Sequence, residues 1–338
     1  MVKKNVFITG VAGFLGSHLA DDLINKGHNV SGCDNLIGGY LDNVPDEVDF
    51  HQVDCKYLST MTRLLEDIDV VYHSACTAYE GLSVFSPHLV CENTYQITAS
   101  LLSAAIQNNV ERFVYCSSMA RYGEQPTVPF TEDMIPRPQD PYGISKLAAE
   151  NLIENLSTTH GMEHVIAVPH NIIGPRQKYD DPYRNVASIM INLMLQGKQP
   201  IIYGDGEQKR CFSFVQDTLS CLSKLGFQEN LSGEVINIGP DEEFVTINRL
   251  AKTLADLVGF NELDPLFFPG RPQEVRLATC SADKARDLLG YKTKYTLEEG
   301  LKEMIDYIED RGAKRFKYHL AVEIKNEKTP KTWTEKLF

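Results

Sequence analysis

Gly10, Gly13 and Gly16 follow the apolar run 6–9 and precede Leu19 and Leu23, which mark one face of a helix. A strand that passes into a helix through glycines this closely spaced leaves few folds open. Gly10 permits a tight turn, Gly13 lets backbone approach a diphosphate, and Gly16 lets the helix pack on the strand. Phe14 and Leu15 open that helix, whose free N–H groups and positive dipole end face the same anion. The spacing is Gly-x-x-Gly-x-x-Gly, looser than the Gly-x-Gly-x-x-Gly fingerprint, so a purely structural turn stays an alternative until the context is read.

The context is an alternation of strands and helices. Apolar runs at 6–9, Asn29–Cys33, 50–53, Val70–His73 and 113–117 predict strands, with Leu101, Leu102, Ala105 and Ile106 on a second helix face. Strands joined by helices of this length require right-handed crossovers and a parallel sheet covered on both sides, a doubly wound α/β fold. After Pro169, proline and glycine become frequent, strands shorten, and helices at Val186–Leu195 and Ile247–Val258 stand apart. The expected organisation is a cofactor domain over 1–170 with some later strands returning to it, a smaller α/β substrate lobe mainly over 171–313, and a basic tail over 314–338. The run 165–168 still reads as a strand of the first sheet. The tail carries an apolar alternation at 318–324 and then Trp333, and folds over the core or over a neighbouring subunit.

Charge and composition exclude several function classes. With 33 Lys and Arg against 46 Asp and Glu, a net charge of -13 leaves no basic stripe for a nucleic-acid backbone. An anionic substrate must then be met by a few placed cations. No segment holds the ~18 uninterrupted apolar residues of a membrane helix and no leader-like stretch opens the chain, so the expected location is the cytoplasm. The eight cysteines show no Cys-x-x-Cys pair and no histidine at ligand spacing, which predicts reduced thiols and no metal site.

Asp34, with Asn35 beside it, ends the second strand about 20 residues past the glycine loop, where a carboxylate accepts hydrogen bonds from adenosine ribose hydroxyls. A carboxylate there repels a 2′-phosphate, and no arginine follows to reverse the preference, so NAD is expected over NADP. A solvated loop aspartate is the alternative. Asp54 and Cys55 follow the third strand toward the adenine, and Ser74, Ala75 and Cys76 follow the fourth toward the nicotinamide.

Tyr142 and Lys146 stand one helical turn apart on one face. A neighbouring ammonium stabilises phenolate, so Lys146 is expected to lower the pKa of Tyr142 and make it a general base for a sugar hydroxyl. Ser118, at the end of the fifth strand, is placed to bond the reacting oxygen. An isolated Tyr-x-x-x-Lys is usually an exposed helix pair; here the glycine loop and Ser118 precede it in order.

Over residues 4 to 310 the sequence resembles the extended short-chain dehydrogenase/reductase family, and within it the NAD-dependent sugar-nucleotide epimerases and dehydratases, UDP-glucose 4-epimerase-like in kind. The resemblance is carried by the glycine loop through Leu19, Tyr115-Cys116-Ser117-Ser118, Tyr122-Gly123, Pro141 to Lys146, Asn171 with Gly174 to Gln177, and Tyr203 to Gln208. It implies a Rossmann-type sheet and a catalytic Ser118, Tyr142 and Lys146, Lys146 also holding the nicotinamide ribose. It puts His170 where an aromatic packs near the nicotinamide, and Thr94 where an asparagine commonly helps hold NAD.

The resemblance further assigns Asn171, Arg210 and Arg271 to the substrate diphosphate, Glu274 to the nucleotide ribose, and Asn185, Val186 and Tyr203 to the base pocket. Ala278 stands where relatives restricted to plain hexoses place a bulky aromatic. Met119 and Ala120 replace the acid and base pair of the dehydratases, which leaves hydride chemistry alone: oxidation at C4 to a transient 4-keto sugar, rotation, and reduction from the other face with NAD recycled. The implied substrate is a UDP-hexose or UDP-N-acetylhexosamine and the implied assembly a homodimer. A net nucleotide-sugar oxidoreductase or dehydratase, a GDP-sugar, and a non-catalytic NAD-binding regulator remain the alternatives.

Overall fold

Val6, Phe7 and Ile8 are fully buried in β1 (Asn5–Thr9), an inner strand of a parallel sheet of seven. The computed structural model describes residues 2–338. The other sheet strands are β2 (Asn29–Cys33), β3 (Asp49–His51), β4 (Val70–His73), β5 (Arg112–Cys116), β6 (Glu163–Pro169) and β7 (Val235–Ile238), in the order β7-β6-β5-β4-β1-β2-β3. Val6 is in register with Val30 on one side and Val70 on the other. Strand geometry sends alternate side chains to opposite faces. Val6 and Ile8 accordingly join Leu19, Leu23, Ile236 and Ile238 in one core, while Phe7 joins Val71, Phe113, Leu101 and Ile153 in another. Helix α1 (Phe14–Asn25) covers the first face; α2 (Ile97–Gln107) and α3 (Pro141–His160) cover the second.

The chain runs outward from β1 through β2 to β3, then returns to β4 and builds the other half. That reversal between β1 and β4 opens a crevice at the strand C-termini, where open α/β sheets take their ligands. Strand β7 lies far along the chain yet pairs with β6, so lobe order and chain order do not coincide. A third core forms from α4 (Val186–Leu195), α5 (Ile247–Val258) and α6 (Leu297–Arg311), through Ile191, Met194, Leu250, Leu254, Leu301 and Ile305. This second lobe overhangs the crevice.

The C-terminal segment folds over its own chain. The Ser86 hydroxyl donates to the Ala321 carbonyl at 2.8 Å, and Glu323 accepts from the backbone N–H groups of His88 and Leu89. Trp333 packs edge-on against Phe85 and Tyr183, with ring centroids 6.0 and 5.5 Å away. All eight cysteines are free thiols. Among the described residues, no helix is long and apolar enough to cross a membrane.

Candidate active site

The turn from β1 into α1 carries glycine where a side chain would not fit. Gly10 has φ of 72°, and a Cβ there would lie 3.0 Å from the Ala75 backbone. A Cβ on Gly16 would stand 2.2 Å from the Gly10 carbonyl oxygen. Gly13 caps α1 with no side-chain partner, and the first turn carries no acid, so the helix N-terminus keeps its N–H groups and dipole for a ligand. Asp34 is buried beside it: one carboxylate oxygen accepts from the Ala12 N–H at 3.1 Å and the other from the Leu36 N–H at 2.7 Å. Burial pushes its pKa up, against the pull of those N–H groups and of the Arg184 guanidinium.

These groups line one wall of a cleft of about 400 Å³. Phe14, Leu15, Asn35, Asp54, Cys55, Ser74, Ala75 and Cys76 all line it too. Asn35 donates to Asp54 at 3.1 Å, and the Cys55 sulfur lies 3.5 Å from that of Cys33. His73, at the end of β4, is clamped between the hydroxyls of Thr9 at 2.7 Å and Thr98 at 3.0 Å; burial drives its pKa down to about 3 and keeps the ring neutral. A cradle that accepts no Cβ, an uncapped helix N-terminus and a buried carboxylate on the adenosine side together fit a dinucleotide such as NAD.

Asp140 caps α3, its carboxylate accepting the Gly143 N–H at 2.9 Å, and Pro141 takes the first helical position. That start aims Tyr142 and Lys146 into the crevice, where both line the cleft with Ser118. The Lys146 ammonium donates to the Cys116 carbonyl at 2.7 Å and lies 5.8 Å from the Tyr142 ring centre. The Ser118 hydroxyl accepts the Ala120 N–H at 3.2 Å. Behind it, Glu150 of α3 takes a hydrogen bond from Ser117 and pairs with Arg121 at 2.9 Å, which ties the Ser118 turn to the helix carrying Tyr142.

The expected pull of Lys146 on Tyr142 is present but does not decide the outcome. Lys146 and Ser118 do pull the Tyr142 pKa down, but burial outweighs them, with help from Cys76 and Glu80, so the phenol sits well above its ordinary value. The desolvation of a closed pocket costs a phenolate more than one ammonium returns.

On the facing wall, Arg271 pairs with Glu274 at 3.0 Å and stacks 4.9 Å from the Tyr203 ring centre, while Arg210 lies 3.9 Å from the same carboxylate. Asn171 donates to the Cys211 carbonyl at 2.9 Å. Asn185 caps α4, accepting the Ala187 N–H at 3.0 Å, and Val186 follows it into the cleft. Ala278 lies outside the main cleft in an adjoining side chamber of about 50 Å³, with Met119, Ala120 and Phe130.

Two readings need correction. His170 is buried away from the cleft, its Nε2 2.9 Å from the Pro240 carbonyl oxygen, because the chain past β6 turns the ring toward Gly239. At the wide π-helical turn Glu92–Gln96 it is Asn93 that lines the cleft, while Thr94 is buried. Among the cleft-lining residues that the sequence reading did not assign are Glu80, Arg184, Trp333 and Phe338. The signals were faint: Glu80 follows the 74–76 segment closely, Arg184 directly precedes Asn185, and Trp333 is the lone tryptophan of the chain.

A model of the NAD dependent epimerase/dehydratase family matches residues 6–239. The putative UDP-glucose 4-epimerase of Methanocaldococcus jannaschii is 31% identical over 312 residues, which are 91% of this chain and 99% of that protein. The crystal structure of UDP-glucose 4-epimerase with UDP-glucose from Thermotoga maritima superposes with a TM-score of 0.84 at 32% identity, covering 91% of this chain and 99% of the other. UDP-glucuronic acid 4-epimerase from Bacillus cereus, in complex with UDP-glucuronic acid and NAD, gives a TM-score of 0.84 at 30% identity, over 91% of this chain and 100% of the other.

Proposed function

Because the chain belongs to the NAD dependent epimerase/dehydratase family, we propose that it interconverts the C4 epimers of a UDP-linked hexose or N-acetylhexosamine. The observation that carries this reading is the group of Ser118, Tyr142 and Lys146 at the inner end of the glycine-loop cleft, with only Met119 and Ala120 following Ser118. Dehydration or decarboxylation needs an acid or base on that turn, and a thioether and a methyl supply neither. Bound along the glycine loop and Asp34, NAD supplies the hydride acceptor at C4 and, on the return, the hydride donor.

The chain's own groups handle the proton. Tyr142 removes it from the C4 hydroxyl and returns it after the keto sugar has turned; Ser118 holds the same oxygen, and Lys146 stabilises the phenolate. When bound, an oxidised nicotinamide would add positive charge to the cleft, which favours the phenolate. Arg210, Arg271 and Asn171 anchor the diphosphate, Glu274 the nucleotide ribose, and Val186, Asn185 and Tyr203 enclose the base. Arg184, against the Gly38 loop and Asp34, is the cation of the cofactor half. The UDP-glucose in the Thermotoga maritima relative supports uridine over guanosine. Pairing as a homodimer accords with Ile144, 52% exposed on α3. The reaction is placed in the cytoplasm, where NAD and activated sugars are available.

Incubation with UDP-glucose, UDP-N-acetylglucosamine, UDP-glucuronate and GDP-mannose, followed by proton NMR and absorbance at the NADH band, tests this. A 4-epimer without net NADH is expected. Steady NADH, a 6-deoxy-4-keto sugar or carbon dioxide would refute it.

A further inference from the structure

The cleft contains one carboxylate with no assigned task. Glu80 lies between the reacting end and the diphosphate end: Gly81, next to it, has its Cβ position 3.1 Å from the Arg271 guanidinium, and the Glu80 charge acts on Tyr142. It lines both the main cleft and the side chamber that Met119, Ala120 and Ala278 enclose. Its side chain is open to the cleft, and among the described residues no hydrogen bond or ion pair holds its carboxylate. The other acids here are engaged: Asp140 accepts from Gly143, and Glu274 pairs with Arg271. A free carboxylate at the junction of the two spaces is available as an acceptor to a donor on a bound ligand.

We propose that Glu80 is the residue that selects the sugar, accepting a hydrogen bond from an N–H or O–H donor on it and shutting out nucleotide-linked uronic acids. This rests on the reading of the cleft as a nucleotide-sugar site and deepens it. Arg210 and Arg271 share Glu274 and are committed to a diphosphate, so no cation near the side chamber is left for a sugar carboxylate. Such a carboxylate would meet Glu80 and Asp140 instead. Arg184 does not relieve this, because it lies against Gly38 and Tyr79 on the cofactor side. The proposal separates this chain from the Bacillus cereus structure with bound UDP-glucuronic acid, despite the shared fold.

Partial desolvation in the cleft, reinforced by the Asp140 charge and opposed by Arg210 and Arg271, pushes the Glu80 carboxyl above its ordinary value. The charged and titratable groups around it are Asp140 at the cap of α3, Tyr142 two residues further, Arg210 on its strand, and Arg271 and Glu274 on the loop that follows. Discrimination against a uronate should therefore sharpen as pH rises and Glu80 ionises.

The test compares wild type with Glu80→Gln, which keeps size and one acceptor while removing the charge. kcat and KM are measured on UDP-N-acetylglucosamine, UDP-glucose and UDP-glucuronate from pH 6 to 8.5, with calorimetric binding of the same sugars. Wild type should reject UDP-glucuronate. The variant should raise its kcat/KM relative to UDP-N-acetylglucosamine at least tenfold, through KM, and flatten the pH dependence of that ratio. An unchanged ratio, or a wild type that prefers UDP-glucuronate, would overturn the assignment. A 6-deoxy product lost in Glu80→Gln would overturn it too, by making Glu80 an acid or base of elimination. If wild type turns over none of these sugars, the epimerase reading fails, and the calorimetric affinities of the two proteins still decide the role of Glu80.

Discussion

Asp34→Asn isolates one charge in the cofactor half. The carboxylate is 8% exposed, so its field acts through protein more than through water. Two unit charges about 5 Å apart at an effective dielectric near 20 interact by about 3 kcal/mol, and a 2′-phosphate carries more than one. Losing that repulsion alone improves NADP binding by at least about a hundredfold. NAD loses as well, because hydrogen bonds from ribose hydroxyls to a charged acceptor contribute roughly 1.5–3 kcal/mol. The NAD-to-NADP affinity ratio should therefore fall by more than two decades. The amide also turns one N–H group toward the Ala12 or Leu36 N–H, a mismatch costing about 1–3 kcal/mol of stability. Fluorescence titration of both cofactors, with thermal melts to confirm folding, gives each quantity. A ratio that moves less than tenfold while NAD still binds would show that Asp34 is not what reads the ribose.

Tyr142→Phe should lower kcat by roughly 10²–10⁴-fold with NAD affinity held within a few-fold, measured by steady-state kinetics and cofactor titration; retained turnover would end its role as base. Ending the chain after Lys328 removes Trp333, Phe338 and the 2.5 Å bond between the Thr332 and Tyr203 hydroxyls, so KM for the UDP-sugar should rise severalfold while NAD affinity is unchanged. Equal KM values would mean that the tail only stabilises the lobe. Burial lowers the pKa of His18 to about 4 and of His73 to about 3, so both rings stay neutral in the folded protein. In the unfolded chain they charge below about 6.5, which means that their contribution is present at neutral pH and lost as pH falls, by about 2 kcal/mol each at pH 5. Their ring resonances should not titrate between pH 8 and 5; midpoints near 6.5 would refute the burial argument.

Much of the molecule was legible along the chain because its determinants are local. The β1 turn needed Gly10 and Gly16 for lack of room, Asp34 had to end a strand beside the glycine loop, and Tyr142 and Lys146 shared a helix face by spacing alone. Helices α4 and α5 fell where the apolar periodicity ended. The position of β7 was less visible, since a short strand of four residues joins the sheet only because β6 offers it an edge.

Tertiary structure decided what depends on neighbours distant in sequence. It turned His170 toward Pro240, put Asn93 rather than Thr94 on the cleft, and laid Trp333 over Tyr183. It set the Tyr142 pKa above its ordinary value, where a lysine one turn away had suggested the reverse. It also left Glu80 open and unpartnered between two arginines and a phenol. Spacing along a chain fixes which groups share a face, but desolvation and field at a group are sums over everything packed around it, and those neighbours exist only once the chain has folded.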